Sequence, residues 1–184
     1  MELIKIHYTP SKEVKEFREI EQEVATLKKF IVEADKKRQC YAIHHSQVNP
    51  HPYNFFVVHA RYCLGDDRLF NDRVIINPVI VENVPLVRPG WDEVNDPKWD
   101  EKTRETMYSR WQKMPAVLVS QLEQEGCMSF PFRKPKKVDR FVSVKVSYVN
   151  EKFEPVTTTL DGPAGHIFQH EVDHGLGKNI YFTR

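Results

Sequence analysis

Gln169-His170-Glu171-Val172-Asp173-His174 is the stretch on which the reading of this chain turns. Two histidines at i and i+4 share one face of a helix, so both imidazoles can reach one cation. Glu171 then stands where it can move a proton for a water beside that cation. The surrounding residues support a helix. Gly162-Pro163 provides a start upstream, Ile167 and Phe168 supply an apolar approach, and Gly175 and Gly177 suit the end. A structural histidine pair is the competing reading. A catalytic metal site needs three protein ligands and an open position. After His174 the chain holds no further His, Asp, Glu or Cys, so a third ligand has to come from upstream. Cys127 in Glu125-Gly126-Cys127 is the leading candidate, because a thiolate suits a borderline-soft divalent ion and Gly126 offers backbone freedom. Taken alone, Cys127 reads as a small buried hydrophobe rather than a ligand, and the helix motif reverses that order.

Outward from this stretch, residues 141 to 149 alternate: Val142, Val144, Val146 and Tyr148 oppose Phe141, Ser143, Lys145 and Ser147, a one-sided strand. Asn150-Glu151-Lys152 reads as a turn into a partner strand over 153 to 160. Residues 54 to 61 and 73 to 81 are further strands rich in Phe, Val and Ile, with a bend or sheet edge at Asn77-Pro78. Residues 11 to 38 read as one long helix capped by Ser11, with Glu13 in its first turn. Phe17, Ile20, Val24, Leu27 and Ile31 form its buried stripe. Between 83 and 122 the character changes. Pro85, Pro89, Gly90, Trp91, Pro97 and Trp99 mark an irregular segment. Met107, Trp111, Met114 and Leu118 recur at helical spacing, with a kink expected at Pro115. This segment is either a helix packed on the surface or a lid or docking element.

The chain of 184 residues, with 40% hydrophobic and 29% charged residues, fits one soluble domain. A net charge of +1 gives no overall field toward nucleic acid or anionic membrane, and no apolar run is long enough to span a bilayer. The start, Met1 to Ile6, is charged too early for a secretory signal. Cys40, Cys63 and Cys127 are few, odd in number and without CxxC spacing, which argues against a disulfide framework and for a reducing compartment.

Three short segments in order carry a resemblance to the peptide deformylases, whose motifs are G-x-G-L-A-A-x-Q, E-G-C-L-S and Q-H-E-x-D-H. Glu125-Gly126-Cys127-Met128-Ser129 matches the second with one conservative change, and residues 169 to 174 match the third completely. Cys40 to Gln47 matches the first only in Gln47, having lost both glycines and both alanines. Ile76-Asn77-Pro78 resembles the family's I-N-P. The resemblance covers nearly the whole chain outside 83 to 122. It implies an α+β fold, with mixed or antiparallel sheets around a central metal-bearing helix, in one domain over 1 to 184 with 83 to 122 as an insertion.

The resemblance also implies a metal-dependent hydrolase that removes the formyl group of N-formyl-methionyl peptides and releases formate. Cys127, His170 and His174 would be the ligands of one divalent ion, Fe²⁺ natively, with Zn²⁺, Ni²⁺ or Co²⁺ as substitutes. Glu171 would be the acid–base group, and the Gln47 amide and Met128 N–H would meet the oxyanion. Glu125 would orient the site, against Arg140, unless that pair is a surface salt bridge. The implied partners are N-formylated nascent peptides, with the ribosome as a further candidate, and neither nucleic acid directly nor membrane. The implied location is the cytoplasm in a bacterium or virus, and the mitochondrion or plastid in a eukaryote.

The altered first motif leaves competing expectations. Tyr41, His44 and His45 are bulky, and His166 stands where an apolar pocket residue is expected. They imply repacking with activity kept, a narrowed pocket in an amidase or peptidase of altered substrate, or a non-catalytic binding protein. His44 or His45 is a further candidate ligand.

Overall fold

The strands are built from β-branched and aromatic runs, and their order brings the two outer motifs together. The structure, a computed structural model, describes residues 10–64, 68–85, 91–113 and 120–182. In chain order these form α1 (Glu21–Lys37), β1 (Ala42–His44), β2 (Phe55–Val58), β3 (Val74–Asn83), α2 (Trp91–Val94), α3 (Glu101–Gln112), β4 (Ser120–Glu125), β5 (Lys136–Phe141), β6 (Ser143–Val149), β7 (Pro155–Asp161) and α4 (Gly162–Gly175). Five strands make an antiparallel sheet in the order β1-β2-β3-β6-β7, and β4 and β5 make a second, two-stranded sheet. The fold is α+β with antiparallel sheets, as the resemblance implied.

The main sheet is apolar on both faces at β2. Phe55 and Val57 pack with Val24, Leu27 and Ile31 of α1, whereas Phe56 and Val58 pack with Phe168 and Ala164 of α4. Alternate residues of a strand point to opposite faces, so an unbroken run of four apolar residues is what two covering helices require. The Phe56 and Phe168 rings meet edge-on, 5.6 Å apart, which fixes α4 against the sheet. Phe168 thereby anchors the turn that carries His170.

Two local features explain where the elements begin and bend. At Asn77, with φ of +50°, the ladder between β3 and β6 shifts register. The Asn77 side chain pairs with the Val14 backbone in both directions, accepting from its N–H at 3.0 Å and donating to its carbonyl at 2.8 Å. The expected bend is therefore present, inside the sheet rather than at its edge. The long helix expected over 11 to 38 is shorter. Residues 11–16 form no helix, a 3-10 turn follows at Phe17–Glu19, and α1 starts only at Glu21. The Lys12 backbone is taken up by Pro52 and Asn54, and the Ser11 N–H donates to the Gly175 carbonyl at 2.8 Å, so Ser11 caps nothing. These nonlocal pairings satisfy the same backbone groups that a first helical turn would use.

Other boundaries move less. The strand expected to reach residue 61 ends at Val58, and Ala60–Tyr62 forms a 3-10 turn. The alternating run from 141 divides between the two sheets, with Phe141 closing β5 and Ser143 opening β6. In the 83 to 122 segment, Asp100 caps α3 through a bond from the Thr103 N–H at 2.7 Å. No residue of α3 is buried, so it is a peripheral helix rather than part of the core. Met114, Pro115 and Leu118 lie outside the described residues. All three cysteines are free thiols. Among the described residues no helix is long and apolar enough to cross a membrane.

Candidate metal centre

Helix α4 starts after Asp161 with Pro163 in its first turn, where a missing N–H costs nothing. One amide side chain docks it to the second sheet. Gln169 donates to the Phe141 carbonyl at 2.9 Å and accepts from the Phe141 N–H at 3.1 Å, so it pairs with β5 as another strand would. That docking sets His170 and His174 opposite the loop after β4, where Cys127 lies. The donor atoms of Cys127, His170 and His174 all lie within 4.8 Å of one another. Cys127 Sγ is 3.3 Å from His174 Nε2, and the two imidazoles are nearly perpendicular, with ring centres 4.8 Å apart. Cys127 and His174 are buried.

A chain of charges supports this cluster. Glu125 accepts from His170 Nδ1 at 2.9 Å, which turns the opposite ring nitrogen toward the thiol. Arg140 grips the same carboxylate with two bonds of 2.7 and 3.0 Å and holds Asp173 at 2.7 Å. Arg140 is 7% exposed, so the pair with Glu125 is an interior one and not a surface salt bridge. Burial works against the Glu125 charge, but the bonds from His170 and Arg140 outweigh it and hold the carboxyl down to about 2. Burial likewise works against a charge on His170. Its bonds to Cys127 and Glu125 reverse this and raise its pKa well above the ordinary value.

Two further groups face this cluster. Glu171 is buried and pushed up to about 7 by desolvation, and its Oε2 has no hydrogen-bond partner. A buried carboxylate oxygen without a partner is costly unless something absent from the structure meets it. Gln47 accepts from the His44 N–H at 2.9 Å, which identifies its oxygen. Its amide N–H₂ therefore faces Ser129 Oγ at 3.2 Å and Cys127 Sγ at 3.7 Å. A cavity of about 590 Å³ opens on the cluster, and Gln47, Met128, His170 and Glu171 line it. The donor set of one sulfur and two imidazoles, with a carboxylate behind His170 and an orphaned carboxylate oxygen in front, fits a divalent ion with an open position.

The model of the polypeptide deformylase family matches residues 5–183. The chain belongs to that family. A peptide deformylase of Aquifex aeolicus is 51% identical over 54 residues, which is 29% of this chain and 31% of that protein. The aligned stretch thus spans about a third of that curated relative. Two solved structures share the fold. The deformylase of the Vibrio parahaemolyticus bacteriophage VP16T superposes with a TM-score of 0.66 at 18% identity, covering 98% of this chain and all of that one. The deformylase of Thermotoga maritima gives 0.60 at 23% identity, covering 94% and 86%.

Several expectations change in detail. Neither His44 nor His45 joins the Cys127–His170–His174 group. His44 is fully buried, with Nδ1 accepting from the Ser46 N–H and Nε2 facing Asn54 Oδ1 at 3.3 Å. His45 packs on Phe55 and accepts from the Tyr53 N–H at 3.0 Å, and burial lowers its pKa to about 4, so it is a neutral core residue. Neither ring narrows the cavity. Tyr41 and His166 do line it. Gly126 is not crowded, since an added Cβ there meets nothing within 4 Å. Ser129, Gln169 and Asp173 were not singled out from sequence, although each lies inside a quoted motif. Their signal was the motif itself, in which a residue that binds the backbone looks no different from one that does chemistry.

Proposed function

We propose that this chain hydrolyses the formyl group of N-formyl-methionyl peptides, releasing formate and a free amino terminus. The observation that carries the reading is the buried convergence of Cys127, His170 and His174 beside an unpartnered Glu171 oxygen. These three residues would hold one divalent ion, Fe²⁺ natively with Zn²⁺, Ni²⁺ or Co²⁺ in substitution, and that ion would supply Lewis acidity and an ionised water near neutral pH. Glu171 takes the proton of the attacking water and passes it to the departing amine nitrogen. A carboxyl held near 7 is suited to both halves of that transfer. The Gln47 amide and the Met128 N–H donate to the formyl oxygen as it gains charge. Ser129 and the His44 N–H keep the Gln47 amide turned toward the thiol.

On this reading residues 1 to 184 act as one deformylase-like domain, with 83 to 122 as an insertion. The substrates are nascent peptides that begin with formyl-methionine, with the ribosome as a further candidate partner. The compartment is the cytoplasm for a bacterial or viral source, and the mitochondrion or plastid for a eukaryotic one. A second reading, an amidase with another acyl group or another first residue, draws support from Tyr41 and His166 in the cavity wall. Formate release from formyl-methionyl-alanyl-serine by the Fe²⁺- or Co²⁺-loaded protein, assayed without oxygen, separates the two. Deformylation predicts turnover that Glu171→Gln abolishes while metal content is kept. Full turnover by that variant would exclude Glu171 from the reaction, and hydrolysis only of other amides would favour the second reading.

A further inference from the structure

The cavity mouth carries a charge imbalance that the chain as a whole does not. Its net charge is +1, yet residues 36 to 38 are Lys-Lys-Arg, and four of the five residues from 133 to 137 are Arg or Lys. The structure places one residue of each run, Arg38 and Pro135, in the wall of one cavity, with the other cations flanking them in sequence. Arg38, at the end of α1, lines the cavity, and so does Pro135 in the loop between Cys127 and β5. The Arg38 guanidinium donates to the Pro131 carbonyl, which ties the end of α1 to that loop. All seven cations are exposed.

Little compensates them. Among the described residues only Lys36 has a carboxylate partner, Glu33 at 2.6 Å. Arg38 spends its bond on a neutral carbonyl and keeps its charge. Arg133 lies over the rings of Phe130, Tyr181 and Phe182 at 5.5, 5.3 and 4.7 Å, which fixes its guanidinium without neutralising it. Tyr181 Oη donates to the Lys134 carbonyl at 3.0 Å, so the loop backbone is held as well. A preorganised cationic lip loses little entropy when an anion arrives.

We infer that this cationic mouth selects N-formyl peptides whose residues downstream of the formylated one carry carboxylates, with Arg38 as the central determinant. The inference rests on the deformylase reading and refines its substrate class. On this inference a peptide whose first residue lies in the cavity leaves past Arg38 and Pro135, and its following side chains meet the flanking cations. Complementary charge at such a mouth acts mainly on capture, and it fades as salt shortens the range of the field.

The test compares kcat/KM for three formyl-methionyl peptides, followed by two Glu, two Ser or two Lys, at about 10 mM and about 0.3 M salt. The acidic peptide is expected to exceed the basic one by roughly tenfold or more at low salt, mostly through KM, with the ratio approaching one at high salt. Arg38→Glu is expected to reverse the order. Lys136→Glu, which leaves the Arg38 tether intact, reduces the ratio even if the first variant misfolds. An acidic-to-basic ratio near one at low salt, or one that neither variant changes, overturns the inference. A ratio near one together with charge-dependent binding of a single-stranded RNA assigns the lips to nucleic acid and overturns it too. Absence of turnover with the Ser peptide refutes the deformylase reading instead. In that event calorimetric binding of the unreacted Glu and Lys peptides still decides the preference of the mouth.

Discussion

Replacing Arg140 with Met tests the charge chain behind the Cys127–His170–His174 group. The substitution keeps much of the side-chain volume and deletes the cation, leaving Glu125 in the interior with His170 as its remaining partner. The magnitude follows from the carboxyl itself. Its pKa is about 2 against an ordinary 4.5, which corresponds to roughly 3 kcal/mol of stability from its partners. Breaking a buried pair by removing one member typically costs about 3–5 kcal/mol, because the other charge stays buried. Arg140→Met should therefore cost about 3 kcal/mol in urea unfolding of the metal-free protein at pH 7, and adding Glu125→Gln should restore a large part of it. The pH dependence has a definite sign. A depressed carboxyl contributes fully above its unfolded value and loses that contribution as pH falls from about 4.5 through about 2. The wild-type protein should lose roughly 3 kcal/mol more than Glu125→Gln across that interval. A cost below about 1 kcal/mol for Arg140→Met, with no coupling in the double variant, would mean that the chain of charges supports nothing.

Glu171 should show the opposite sign. Its folded pKa near 7 lies above the ordinary 4.5, so the metal-free protein should lose up to roughly 3 kcal/mol as pH rises from about 4.5 to 7. Denaturant titrations across that range should show the decline in the wild type and not in Glu171→Gln, and parallel curves would contradict the burial argument. Gln47→Ala should lower kcat on a formylated peptide by about 10²–10³ with little change in bound metal. A loss confined to KM would remove the amide from the transition state.

How much of this was legible in the sequence differs from element to element, and the reason is the range of the interactions involved. α4 and the β6–β7 hairpin came through because their signals are local: the four-residue spacing of His170 and His174, the alternation around Val146, and the turn at Asn150, whose Oδ1 accepts from the Lys152 and Glu154 N–H groups. The start of α1 failed for the converse reason. Ser11 and Glu13 offer good capping chemistry, but the backbone there is claimed by Pro52, Asn54, Asn77 and Gly175, none of them near in sequence. Arg140 belongs with these. Its spacing from Glu125 is visible, yet only the pairing of β4 with β5, which sets Gln121 against Arg140 and Glu125 against Lys136, decides that the guanidinium turns inward.

The altered first motif shows how a departure that looks damaging in sequence can leave the site intact. Bulky residues at 44 and 45 would close the cavity only if their side chains faced it. Residues of β1 are buried on both sides, and the His44 ring points instead toward Asn54 and the end of α4. Space for it comes from Gly175, where a Cβ would lie 2.7 Å from Asn54 Oδ1 and 3.1 Å from His44 Nε2. Its backbone N–H then holds the Gln47 oxygen, and its Nδ1 accepts from Ser46, whose hydroxyl donates to the His174 carbonyl at 3.2 Å. His44 thus links the amide that faces the thiol to the helix that carries both imidazoles. The lost small residues are matched by a glycine about 130 positions away, beyond the reach of any local pattern. Of the bulky replacements at 41, 44, 45 and 166, only Tyr41 and His166 border the cavity, so a change of specificity caused by these replacements falls to those two and is separate from the groups proposed to carry out hydrolysis.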